Sequence, residues 1–148
     1  MSHTYIANFV HCVFATKQRQ ELIPAEFQPK LCAYLIGVAR NLNITMVAVG
    51  GTPNHVHILI APPSAMALAV AVQKLKANSS CWLGEQGLNF EWQKGYGAFS
   101  VSASLVENVK NYICNQEQHH RKRTFEEEFV ALLNKSGVAH DVKELFAA

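Results

Sequence analysis

Cysteine and long apolar runs are both scarce in this sequence. Its cysteines are scattered, with no CxxC pair and no zinc-ribbon spacing, which argues against a disulfide framework. They are expected to be small apolar fillers of a reduced protein: Cys12, Cys32, Cys81 and Cys114. No apolar run is as long as a membrane span, and the N-terminus lacks the basic and apolar regions of a signal peptide. We therefore expect a soluble, cytoplasmic protein.

Charge is sparse as well. Charged residues make up 16% of the chain, and the formal net charge is only +2. This balance permits binding to nucleic acid without indicating it, because tight binding would need local basic patches that act together. The hydrophobic fraction of 49% is typical of a globular protein. No repeat, linker or low-complexity tract divides the sequence, so residues 1–148 are predicted to form a single domain.

The hydrophobic pattern predicts strands that alternate with helices. The predicted strands are Tyr5–Thr16, Ile44–Val49, His55–Ile60 and Phe90–Val101. The predicted helices run from Pro29 to about Asn41, Ser64 to about Gly84, Leu105 to about Gln118, and Thr124 to Gly137, with capping boxes at Ser104/Glu107 and Thr124/Glu127. The order β-α-β-β-α-β, followed by further helices, predicts an α+β fold. It is a ferredoxin-like, four-stranded antiparallel sheet with helices on one face, plus C-terminal helices.

Two histidines one residue apart stand in the third predicted strand. His55 and His57 lie in a Val- and Ile-rich run that is preceded by Gly50-Gly51-Thr52-Pro53 and followed by Pro62-Pro63. Side chains alternate along a strand, so both imidazoles should project from the same face, about 7 Å apart at their Cα atoms. Such a pair can bind one metal ion. Histidines in strands are often packed structural residues, so this spacing alone leaves that alternative open.

A tyrosine and a glutamine stand one helical turn apart further along the chain. Tyr112 and Gln116 have the spacing i, i+4, which places them on one face of the predicted helix. Leu105, Val109 and Ile113 form the neighbouring apolar stripe, which should pack against the sheet. The Tyr112 hydroxyl could then reach the face that carries the histidines. The alternative is an amphipathic core tyrosine beside a solvated glutamine.

Together these motifs resemble the single-tyrosine HUH transposases of the IS200/IS605 type and the related REP-associated tyrosine transposases. The resemblance covers nearly the whole chain in the right order. It rests on His55-Val56-His57, Tyr112 with Gln116, Val10–Arg19, Gly51–Leu59 and Trp92–Tyr96. One departure is minor: Asn54 stands where the family often has an aspartate.

The resemblance implies a single HUH transposase-like domain that cuts and rejoins single-stranded DNA with hairpin ends. By this analogy Tyr112 is the nucleophile that forms a 5′-phosphotyrosine intermediate, and His55, His57 and Gln116 bind a divalent metal. Mg²⁺ or Mn²⁺ is expected, and Mn²⁺ suits imidazole ligands better. A structural zinc site is the rival, but it would need further ligands close by. Because only one tyrosine of the chain matches the family's nucleophile, the resemblance also implies a homodimer that holds two DNA ends.

Two basic segments are candidates for binding DNA phosphates. Lys17 and Arg19 follow the first predicted strand, and Arg121, Lys122 and Arg123 follow the Tyr112 helix. The second segment is either a phosphate clamp or a solvated cluster balanced by Glu126-Glu127-Glu128. No small-molecule substrate or membrane partner is expected. The rival functions are a catalytically idle ferredoxin-like module that binds DNA or regulates, and a domain that senses a small metabolite.

Overall fold

Four antiparallel strands form one sheet in the part of the chain that the computed structural model describes, residues 2–116 and 122–147. The strands are β1 (Phe9–Ala15), β2 (Thr45–Thr52), β3 (His55–Ala61) and β4 (Gly97–Val101). Their spatial order is β2-β3-β1-β4, and each neighbouring pair is antiparallel. This order confirms the predicted ferredoxin-like sheet and places the two central strands, β1 and β3, side by side.

Helices cover both faces of this sheet. The described helices are α1 (Gln28–Asn41), α2 (Leu68–Glu85), α3 (Val106–Cys114), α4 (Phe125–Lys135) and α5 (Val142–Leu145). Helices α1 and α2 bury their apolar sides against one face, as predicted. Helices α3 and α4, which belong to the predicted C-terminal set, pack against the opposite face. None of the described helices is long and apolar enough to cross a membrane.

Two glycines allow α3 and α4 to approach the sheet closely. A Cβ atom at Gly50 would overlap the backbone carbonyl oxygen of Ile113 in α3. A Cβ atom at Gly97 would lie 2.5 Å from the ring of Phe129 in α4. Because Gly50 is the cross-strand partner of His57, the close approach brings α3 directly over the histidine-bearing part of β3.

Several predicted boundaries need correction. Strand β4 begins at Gly97 rather than Phe90, and Trp92 forms only an isolated bridge to Thr16. Ser104 does not cap α3, because it lies inside the 3₁₀ turn Ala103–Leu105 that precedes the helix. The Thr124 cap is confirmed, since its hydroxyl accepts a hydrogen bond from the Glu127 backbone N–H at 3.2 Å. The predicted end of the Tyr112 helix at Gln118 lies outside the described residues.

Candidate active site

The two histidines of β3 are completely buried beneath α3 and α4. His55 and His57 each have 0% exposure, and their ring centroids lie 5.1 Å apart. The alternation along β3 sends both rings away from the apolar core formed with α1 and α2. Phe125, the first residue of α4, lies 4.6 Å from the His55 ring and shields it from solvent. The predicted shared face is therefore present, but it is covered by helices.

A buried carboxylate completes a cluster with these two rings. Glu128 of α4 is 1% exposed, and its Oε1 lies 2.9 Å from His57 Nε2 and 3.5 Å from His55 Nε2. One ligand atom from each of the three residues falls within 4.8 Å of the others. Their donor set of two imidazoles and one carboxylate suits a divalent transition ion better than Mg²⁺, which prefers oxygen. The three side chains together fit a bound metal.

Tyr112 brings a hydroxyl group to the same cluster. Its ring lies 5.9 Å from that of His57, and its hydroxyl donates a hydrogen bond to Glu128 Oε2. The two carboxylate oxygens of Glu128 therefore face different groups, one the imidazoles and the other the phenol. Burial, and to a smaller extent the hydrogen bond with Glu128, raises the pKa of Tyr112 above its usual value. The phenol is thus held protonated at neutral pH, next to a carboxylate that can accept its proton.

Gln116 lies beside the tyrosine, two residues beyond the last residue of α3. It is 2% exposed, and its Nε2 donates a hydrogen bond to the Tyr112 backbone carbonyl at 3.3 Å. A further hydrogen bond from its side chain opposes the rise in the pKa of Tyr112. The two residues do not share one continuous helix face as predicted, because α3 ends at Cys114, but the Gln116 amide is still near the phenol oxygen.

Both histidines have defined partners at Nδ1, on the side of the ring away from Glu128. His55 Nδ1 lies 2.8 Å from Asn54 Oδ1 and 2.8 Å from Thr52 Oγ1. His57 Nδ1 lies 2.8 Å from Nε2 of His11, a residue of β1. Such partners fix the tautomer and the orientation of a metal-binding imidazole. Both rings are therefore held with Nε2 directed at the carboxylate.

Comparison with known proteins identifies the family. The family model described as "Transposase IS200 like" matches residues 5–116. The chain belongs to the IS200-like transposase family. The resemblance inferred from the motifs is thereby confirmed. Among proteins with curated descriptions, none is similar enough to this sequence to count as a match.

Two solved structures share the fold of this IS200-like transposase. One is a Deinococcus radiodurans R1 protein described as a candidate transposase, with a TM-score of 0.61 and 21% identity over 76% of this chain and 94% of that chain. The other is a REP-associated tyrosine transposase bound to a REP hairpin, with a TM-score of 0.59 and 16% identity over 81% of this chain and 74% of that chain. At these identities the likeness is one of fold.

The basic residues predicted to bind phosphate lie in different settings. Lys17 pairs with Glu91 at 3.1 Å, and Arg19 pairs with Glu126 at 2.8 Å. Lys122 and Arg123 are exposed. Arg123 lines a groove of about 430 Å³ that also reaches His11, Tyr112 and Glu128. Arg121 lies outside the described residues. Among the predicted cations that the structure describes, Arg123 therefore shares an open groove with the tyrosine.

Sequence reasoning missed Glu128, which it assigned to a possible solvated acidic cluster. The first two members of that cluster are indeed partly or fully exposed, whereas Glu128 is buried. A pattern in the sequence could have separated them. Phe125 and Leu132 stand three residues before and four after Glu128, so this carboxylate lies on the apolar side of the helix. A charge on that side must be paired when the helix packs.

Proposed function

We propose that this protein is a metal-dependent single-stranded DNA endonuclease and strand transferase that forms a 5′-phosphotyrosine intermediate at hairpin-containing DNA ends. The observation that carries the proposal is the hydrogen bond from Tyr112 to a carboxylate that also contacts both histidines. A nucleophile, a proton acceptor and metal ligands are thus in contact within one chain. Membership of the IS200-like family supports the same assignment.

In the cleavage step, Tyr112 is the nucleophile and Glu128 is the proton acceptor. Glu128 accepts the proton as the phenol O–H bond of Tyr112 breaks, and the phenol oxygen forms a bond to the scissile phosphorus. The bond between phosphorus and the 3′-oxygen breaks, and the departing oxygen takes up a proton from water to become a 3′-hydroxyl. The 5′-phosphate stays on Tyr112. A 3′-hydroxyl can later attack this linkage and restore the phenol, which joins two strands.

His55, His57 and Glu128 would hold the metal, with the predicted ligand Gln116 as a further oxygen donor beside the tyrosine. The bound ion supplies charge stabilisation and orientation at the scissile phosphate. Mn²⁺ fits these ligands better than Mg²⁺, because two of the three clustered donors are imidazoles. The chain's own contribution is a buried pocket that keeps the donors directed at one point.

The DNA partner is proposed from the groove and from the fold relative. Arg123 lies along the groove that reaches Tyr112, where its guanidinium can bind a phosphate of the single strand. The fold relative with the REP hairpin supports a hairpin as the element next to the cut. Because one tyrosine retains only one 5′-end, a homodimer is proposed for joining two ends. Lys17, Arg19, Arg121 and Lys122 remain proposed phosphate contacts.

A covalent-adduct assay tests this function. Labelled single-stranded DNAs that carry hairpins, taken from the sequence flanking the gene, are incubated with the protein and Mn²⁺. We expect a protein–DNA adduct that survives SDS, requires Mn²⁺ and is absent in Tyr112→Phe. Tyr5→Phe is the matched control, because Tyr5 is 75% exposed and lies outside the site.

The same assay separates the enzyme from an idle DNA-binding module. Hairpin binding without any adduct, equal in the wild type and in His57→Ala, would support the module and overturn the enzymatic proposal. An adduct that persists in Tyr112→Phe would show that another residue is the nucleophile.

A further inference from the structure

His11 is a buried histidine that the cleavage scheme above does not use. It lies on β1, where its cross-strand partner is Leu59, so it is a diagonal neighbour of His57 on the same sheet face. It is only 4% exposed, and its ring stacks on that of His57 with centroids 5.0 Å apart and planes 29° apart. A buried imidazole held this closely must satisfy its nitrogens with specific partners.

The contact between the two rings joins one nitrogen of each. His11 Nε2 lies 2.8 Å from His57 Nδ1, while His57 Nε2 faces Glu128 on the opposite side of the ring. An imidazole that binds a metal through Nε2 uses its lone pair there and carries its hydrogen on Nδ1. That hydrogen needs an acceptor, and Nε2 of His11 lies within hydrogen-bond distance of it.

We propose that His11 is a positioning residue for metal binding: it accepts the Nδ1–H of His57 and so fixes the tautomer and ring orientation in which His57 Nε2 can ligate the ion. The inference rests on the metal site of the proposed function. It also assigns the tautomer of His11, which must carry its own hydrogen on Nδ1 to leave Nε2 as the acceptor.

The two ligand histidines are oriented by different chemistry. Asn54 faces His55 with its side-chain amide oxygen. This oxygen can only accept a hydrogen bond, and the amide has no alternative protonation state near neutral pH. The corresponding partner of His57 is an imidazole, which accepts in only one of its two tautomers. Of the two ligand histidines, a substitution at His11 should therefore act on His57 rather than on His55, and this makes the role separable by mutation.

Titration calorimetry with Mn²⁺ tests the proposal on the metal site without DNA or cleavage. His11→Leu removes the acceptor while keeping an apolar side chain in the core, and we expect affinity to fall about 10–100-fold. His11→Gln keeps an acceptor oxygen near the position of Nε2 and should recover most of this loss. His3→Leu, the same change at an exposed histidine outside the site, should bind Mn²⁺ like the wild type.

Thermal unfolding without metal separates positioning from packing. A histidine that only packs in the core would change the melting temperature in His11→Leu and leave Mn²⁺ affinity as in the wild type, which would overturn the inference. A loss of affinity in His11→Leu that His11→Gln does not relieve would overturn it as well. If the wild type itself binds no Mn²⁺, the metal site of the proposed function fails instead, along with any role of His11 in it.

A measurement on the unmodified protein covers the case in which His11→Leu does not fold. In ¹⁵N-histidine-labelled protein loaded with diamagnetic Zn²⁺, His57 Nδ1 should bear the hydrogen and His11 Nε2 should not. A scalar coupling between these two nitrogens across the hydrogen bond would support the proposal. Protonation of His11 Nε2 in the Zn²⁺-loaded protein would overturn it.

Discussion

Helices cover both faces of the sheet, but the faces differ in chemistry, because the one under α3 and α4 buries a polar cluster among its apolar residues. The centre of the face under α1 and α2 is an apolar core, with Cys12 of β1 and Ile58 of β3 each 0% exposed. The face under α3 and α4 buries His11 and His57 on the same two strands, together with Glu128, which α4 contributes. Adjacent residues of one strand therefore serve either a dry core or a polar cluster, depending only on their place in the alternation.

This difference separates stability from function within a small molecule. Apolar burial is favourable without any partner, whereas buried imidazoles and carboxylates lose hydration and must recover it through hydrogen bonds to each other. The polar face therefore depends on exact placement of α3 and α4, and the apolar face depends on packing volume. Substitutions on each face can show whether the two faces are perturbed independently.

Truncation in the apolar core should have the largest effect on stability. Ile58→Ala removes a fully buried side chain and should lower the free energy of unfolding by about 2–5 kcal/mol. Mn²⁺ affinity of the folded protein should stay unchanged, because the side chain points away from the histidines. Urea unfolding and calorimetry measure the two quantities. A large loss of affinity in folded Ile58→Ala would show that the faces are coupled.

A methyl group at Gly50 should damage the opposite face. Gly50→Ala places a Cβ atom against the Ile113 carbonyl, so α3 must move and carry Tyr112 away from Glu128. A displacement of about 1 Å can cost about 100-fold in rate, and we expect adduct formation to fall by at least that order.

Gly37→Ala is the control for this substitution. Gly37 lies in α1, where an added Cβ meets nothing within 4 Å. Alanine is also the better helix former, so this variant should react normally and be slightly more stable. Wild-type adduct rates in Gly50→Ala would mean that α3 tolerates the shift or that Tyr112 does not depend on its position.

The contrast between the faces also explains which features could be predicted from the sequence. The shared face of His55 and His57 could be predicted from period-two alternation, because this is a local pattern, whereas Tyr112 and Gln116 were singled out by the family resemblance. Glu128 comes from a separate helix, and its contact with β3 depends on how α4 packs. The prediction that a strand begins at Phe90 was wrong for a related reason. Trp92 packs in the core and donates a hydrogen bond to Ser79, and it forms only an isolated bridge instead of a strand ladder.

Removing the charge of Glu128 tests whether Glu128 or Gln116 is the third metal ligand beside the two histidines. Glu128→Gln keeps the size of the side chain and an acceptor for Tyr112, but we expect Mn²⁺ affinity to fall about 100-fold, or about 2.7 kcal/mol. Gln116→Leu, at the ligand predicted from the family resemblance, should cost less because a neutral amide attracts the ion more weakly than a carboxylate. Calorimetry ranks the two variants.

Glu127→Gln provides the matched control, since this neighbouring glutamate is exposed. Its affinity should equal that of the wild type. A greater loss in Gln116→Leu than in Glu128→Gln would assign the third ligand to Gln116 and leave Glu128 as the proton acceptor alone.

The smallest effect is expected for the labelling rate of the Cys12 thiol when α3 moves. This rate measures whether the apolar face depends on the position of α3. Burial raises the pKa of Cys12 to about 12, so its reactive thiolate is essentially absent at pH 8, whereas Cys81 is exposed and should react at once. We expect Cys12 to be labelled by a disulfide reagent only when the core opens. Labelling should therefore accelerate in Ile58→Ala, in step with its loss of stability, and be nearly unchanged in Gly50→Ala, because α1 and α2 still cover Cys12. The labelling rate of Cys12 in Gly50→Ala could exceed the rate expected from the unfolding free energy of that variant. Such a result would mean that displacing α3 opens both faces together.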